Sequence, residues 1–169
     1  MKTVSLLGIL VIVGGVGGAG YAEFDRVTSA SRIAKEHVFQ LTRVYIQDQE
    51  KAKAAATIGV QQCARELYFV EFPPVLTSFL ADNAAIEYEI VRKHGSRASE
   101  QKNEIEDMRN AVSAQYYDPI SQELDSLEPL VLKRTLQVMR DYNTNRRDIS
   151  RCIHKNAFQT LRDEGGLES

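Results

Sequence analysis

The chain has 169 residues, 43% of them hydrophobic and 26% charged, with a formal net charge of -2. This composition suits a folded domain and excludes a disordered, charge-rich chain. It also excludes a nucleic-acid binder that relies on basic excess, and four prolines with no tryptophan argue against a turn-rich β sandwich.

The amino terminus comes first in chain order. Residues 1–22 carry an uncharged apolar run, Val4 to Ala22, preceded by Lys2 and followed by Glu23, Asp25 and Arg26. About 19 residues suffice for one helical crossing of a ~30 Å hydrocarbon core. Two readings fit. In one, residues 1–22 are a signal peptide, cut after the small-x-small Gly20-Tyr21-Ala22. In the other they are an uncleaved signal anchor, in which Gly14 and Gly18 form a GxxxG that packs two membrane helices. A glycine-rich buried hairpin is the bland third reading. The charge order around the run keeps the amino terminus in the cytoplasm and exports the remainder. The expected location is therefore the periplasm, or the inner membrane with the C-terminal domain outside the cytoplasm. Gly15 to Gly20 also satisfies GxGxxG as a string, but no second buried strand with an acidic residue follows, as a dinucleotide site requires.

Residues 23–164 read as one exported helical domain, with 165–169 as a frayed tail. From Thr28 to Phe72 there is no proline and only one glycine, Gly59. Val38, Leu41, Tyr45, Ala52, Ala56, Gly59, Cys63, Leu67 and Val70 recur at helical spacing, which predicts one helix about 40 residues long. Its middle stripe, Ala52, Ala56 and Gly59, is small enough to let a partner helix approach closely, and Cys63 continues that stripe.

Pro73-Pro74 ends this helix and starts the next, because the residue before a proline is pushed out of the α region. Val75, Leu76, Phe79, Leu80, Ala84, Tyr88 and Val91 form its stripe, and Lys93-His94-Gly95 its end. Ile105, Met108, Val112 and Tyr116 predict a third helix, and Asp118-Pro119 a restart. Pro129 opens a last long helix through Met139, Tyr142, Ile149, Ile153, Ala157 and Leu161, weakened at Asn143-Thr144-Asn145. No strand-like alternation is sustained. The expected fold is all-α, an elongated antiparallel bundle of four or five helices.

Cys63 and Cys152 are the only cysteines. In an oxidising compartment they are expected to pair as a disulfide, with two buried thiols as the alternative. The absence of CxxC leaves redox catalysis without support. His37, His94 and His154 show no metal-ligand spacing, and Cys152 and His154 point to different sides of a helix, so no metal and no cofactor is expected. The carboxylates, including Glu87 and Glu89 around Tyr88, are scattered, and no hydrolase or nucleotide motif occurs; no catalytic residue is named.

Two features suggest contact with partners. One is the local basic bias of Arg140, Arg146, Arg147, Arg151, Lys155 and Arg162, interleaved with Asp141, Asp148 and Asp163 and most simply read as a solvated face. The other is a pair of aromatic corners, Tyr68, Phe69 and Phe72 before Pro73 and Tyr116-Tyr117 before Asp118. Consecutive apolar residues cannot all face one core, and exposed aromatics commonly anchor partners. The expected function is non-enzymatic protein–protein interaction in the cell envelope, with other envelope proteins or a second copy, as in an assembly or accessory subunit of secretion, pilus or lysis type machinery. A periplasmic bundle that senses or carries a ligand is the alternative. No nucleic acid is expected, and the membrane only through residues 4–22 if these stay uncleaved.

Overall fold

The computed structural model describes residues 29–165 and 167. The leader, Gly14 and Gly18 within it, and Gly166, Glu168 and Ser169 of the tail lie outside the described residues. Among those described there are six α-helices, one 3-10 turn and no strand: α1 (Ser29–Gln47), α2 (Gln49–Tyr68), α3 (Pro74–His94), the turn Gly95–Glu100, α4 (Lys102–Asp125), α5 (Pro129–Thr144) and α6 (Arg146–Asp163). No helix among them is long and apolar enough to cross a membrane.

The helix count corrects the expectation of four or five at three points. The stretch read as one helix through Phe72 is two, because Asp48 takes an extended conformation and its side chain accepts a hydrogen bond from the Lys51 N–H at 2.9 Å. Aspartate competes with the helix ladder in this way and caps the next helix. The long last helix divides at Asn145 into α5 and α6. Conversely, Pro119 starts no new helix; it sits inside α4, which runs through it. The other punctuation stands where proline and glycine place it. Pro74 and Pro129 occupy first-turn positions of α3 and α5, and Gly95 follows α3 with φ 57°.

Helix α2 lies at the centre, packed on α1, α3 and α6; α3 also packs on α1 and α4. The most extensive helix–helix contact is between α2 and α6. A Cβ placed on Gly59 would stand 2.5 Å from the Ile153 carbonyl oxygen and 2.9 Å from the Ala157 nitrogen, both backbone atoms. Only glycine lets the two backbones meet there. The neighbouring positions are small or fully buried: Ala52, Ala56, Val60 and Cys63 on α2 face Ile153, Ala157 and Leu161 on α6 in one apolar core. One turn beyond Gly59, Cys63 forms a disulfide with Cys152 of α6, the Cα atoms 5.7 Å apart. The predicted stripe breaks down near its end, where Leu67 is exposed and Ala64 and Tyr68 are buried instead.

Candidate functional site

Two constructions stand out from ordinary packing, an exposed corner after α2 and a buried polar cluster between α3, α4 and α6.

The corner begins where α2 stops. Phe69 has φ 55° and ψ 38°, the left-handed conformation that glycine usually supplies at a helix end. For a residue with a Cβ this costs about 1–2 kcal/mol. The side chain recovers none of that by burial, since Phe69 is 88% exposed. Its neighbours are fastened down. The Gln61 amide donates to the Phe72 carbonyl at 3.0 Å and to the Thr77 hydroxyl at 2.7 Å, and its oxygen accepts from the Phe72 N–H at 3.2 Å. Glu123 of α4 accepts from the Val75 and Leu76 N–H groups at 2.8 and 3.0 Å, satisfying the free amides at the start of α3. Arg65 and Glu71, both exposed, pair across the corner at 2.7 Å.

The aromatic candidates thus separate. Tyr68 and Phe72 are buried and pack on each other with ring centroids 5.9 Å apart. Burial, then the charge and hydrogen bond of Asp141 on α5, push the Tyr68 hydroxyl pKa up to about 12. Tyr116 is half-buried against Phe79 and donates to Asp82 at 2.7 Å. Burial and this bond raise its pKa to about 12. Tyr117 is exposed. Phe69 is the most exposed of the five, and its backbone is the strained one.

The buried cluster was not legible as a site in the sequence. Tyr88 and His154 are almost fully buried. Tyr88 Oη lies 3.0 Å from His154 Nδ1, and His154 Nε2 lies 3.0 Å from Glu87 Oε2. The Ser150 hydroxyl donates to Glu87 Oε1 at 2.9 Å, and the Arg109 guanidinium approaches the same oxygen at 3.7 Å. Tyr88, His154, Glu87 and Ser150 each have a hydrogen-bond partner, as burial demands. Burial alone raises the Glu87 pKa, but the His154 imidazole, Arg109 and the Ser150 hydroxyl outweigh it and bring it to about 2. Burial and the charge of Glu87 push the Tyr88 hydroxyl pKa up. Ser150 and His154 are four positions apart, which puts both side chains on one face of α6. Nothing local connected that face to Glu87 and Tyr88 more than 60 positions earlier.

The arrangement ties three helices together, so its measurable consequence is stability. Because folding lowers the Glu87 pKa from 4.5 to about 2, its stabilisation is present above about pH 4.5 and is lost as the pH falls toward 2. Glu87→Gln is expected to cost about 3 kcal/mol at neutral pH, since it leaves Arg109 and His154 facing an uncharged amide. Urea unfolding at a series of pH values should then show a flatter acid limb for the variant than for the native chain.

The remaining candidates are brought to no common site. His37 stacks on Phe158 with centroids 4.6 Å apart, and His94 bonds Glu104 at 2.7 Å. Among the described residues no group of three His, Cys, Asp or Glu side chains is arranged to hold a metal ion. No family model matches this chain, and no curated protein or solved structure matches it either.

Proposed function

We propose that this protein is a non-enzymatic, exported helical bundle that acts by binding other proteins of the cell envelope, as an assembly or accessory subunit of secretion, pilus or lysis type machinery, with its bundle outside the cytoplasm. The observation that carries the reading is Phe69, a large aromatic side chain in a strained backbone conformation, 88% exposed, on a corner braced by Gln61 and Glu123. Strain that gives nothing back inside the fold is expected to serve something outside it. A rigid exposed ring loses little entropy on binding, which is why aromatics dominate interface energetics. The apolar leader and the Cys63–Cys152 pairing support the export part of the reading.

Phe69→Gly tests this because it moves stability and binding in opposite directions. Glycine relieves the left-handed strain, so the bundle gains about 1 kcal/mol. Removal of an interface anchor weakens partner association by about thirtyfold. Tagged native and variant chains recovered from gently solubilised envelopes report the second effect, and sedimentation reports self-association. Equal recovery of the same proteins with both chains, and equal self-association, would overturn the reading.

A further inference from the structure

We infer that the outer face of α5 docks on an anionic lipid bilayer, with Lys133, Arg134 and Arg140 meeting the headgroups and Leu130 entering the apolar layer beneath them. This goes beyond the interaction reading and does not depend on it.

Helix α5 has two sharply different sides. Thr135, Val138, Met139 and Tyr142 are buried at helical spacing. On the other side Leu130, Lys133, Gln137, Arg140 and Thr144 follow one another at three and four, so the helical period sets them on one face. All five are exposed, as is Arg134 beside them. Leu130 is 70% exposed, more than any other large aliphatic side chain among the described residues. Arg140, which the sequence groups with the arginines of α6, lies instead on the same helix face as Lys133.

The charges of this face are unmatched. Several exposed cations on other helices are paired: Arg65 with Glu71 at 2.7 Å, Arg92 with Glu89 at 2.6 Å, Lys93 with Glu104 at 2.9 Å and Lys155 with Glu66 at 3.5 Å. Lys133, Arg134 and Arg140 form no ion pair with a described residue, and the Arg140 Nε–H reaches only the Leu136 carbonyl of its own helix, at 3.4 Å. The one carboxylate within α5, Asp141, is bonded to Tyr68 of α2. Three unpaired positive charges on one helix, in a chain whose net charge is -2, call for a negative partner. What else the face holds selects among negative partners. It carries an aliphatic side chain and no aromatic ring, whereas aromatics anchor protein interfaces. Long flexible cations around one exposed leucine suit a fluid surface that supplies phosphate oxygens and hydrocarbon together.

The chain contains no tryptophan, so Leu130→Trp in the full chain places a single indole on this face. Vesicles of equal parts phosphatidylglycerol and phosphatidylcholine should shift its emission to the blue. Vesicles of phosphatidylcholine alone should not, even where the apolar leader holds the chain on both. The shift should fade as sodium chloride is raised, because salt screens the attraction to the headgroups. Each cation near an anionic surface strengthens binding about fivefold, so Lys133→Gln, Arg134→Gln and Arg140→Gln together should weaken it about a hundredfold. Arg43→Gln, Lys51→Gln and Lys102→Gln, the same loss of charge at exposed positions of other helices, should keep the shift. An indole unmoved by the anionic vesicles, or moved equally by both kinds, overturns the assignment. So does a shift that follows protein concentration without lipid, which would give the face to a second copy. Should the triple variant fail to fold, the salt series on the single variant decides: the assignment stands if the shift fades with salt and falls if it does not.

Discussion

Gly59→Leu leaves the bundle only marginally folded at ambient temperature, and Gly59→Ala destabilises it by about 2 kcal/mol. Two opposing effects set the second figure. Alanine is a better helix residue than glycine by about 1 kcal/mol, so an exposed glycine in the middle of α2 would gain from the change. Gly59 faces α6, and a new Cβ would lie 2.5 Å from the Ile153 oxygen and 2.9 Å from the Ala157 nitrogen. Those are backbone atoms of a regular helix and cannot rotate aside as a side-chain tip would. The helices must move apart, and the contacts around Ala56, Val60, Ile153 and Ala157 loosen together. The steric cost exceeds the propensity gain. Urea unfolding followed by circular dichroism checks both variants, and an alanine chain as stable as the native one would place α6 farther from α2 than described here. A leucine at the same place adds three further carbons, and its cost exceeds about 4 kcal/mol.

Removal of the disulfide has an effect of similar size by another route. Cys63 and Cys152 are separated by 89 positions. In the chain-entropy account, opening a loop of this length forfeits about 4–5 kcal/mol by freeing the unfolded chain. Net stabilities of single domains are about 5–15 kcal/mol, so the reduced protein is expected to fold only marginally. Cys63→Ser with Cys152→Ser should reproduce the effect of a reducing agent on the native chain, and the reductant should do nothing further to the double variant. Equal midpoints for reduced and oxidised native chain would show that the two sulfurs carry no constraint. Gly59 and Cys63 are one turn apart on the same face of α2, so their changes should not add. Once the bridge is gone, a loosened α2–α6 contact has nothing else covalent to hold it.

The helical class, the proline-marked starts of α3 and α5 and the α2–α6 contact were legible in the residues. Each depends on local rules. Proline lacks an N–H wherever it stands, and Ala52, Ala56 and Gly59 share a face through the 3.6-residue period alone. Where local rules conflict, the reading failed. Asp48 lies in a stretch whose apolar period continues on both sides, yet its capping bond to Lys51 divides the helix. Asp118-Pro119 reads as a cap and a first-turn proline, yet α4 continues through it, with Ile120 and Leu124 buried beyond. The burial of those two side chains keeps the segment helical against the local signal.

The candidate sites divide in the same way. Sequence marked the 68–72 corner as aromatic, and the structure chose among its members: Tyr68 and Phe72 went into the core and Phe69 was left outside. The Glu87–His154 cluster had no sequence signature, because its members come from different helices. What the sequence determined by itself is what a few neighbouring residues can settle: composition, helical class, the faces able to pack closely and the two sulfurs available to join. Tertiary structure alone decided which aromatic stayed in water and which charges were matched, since burial and pairing belong to groups that meet only after the chain has folded.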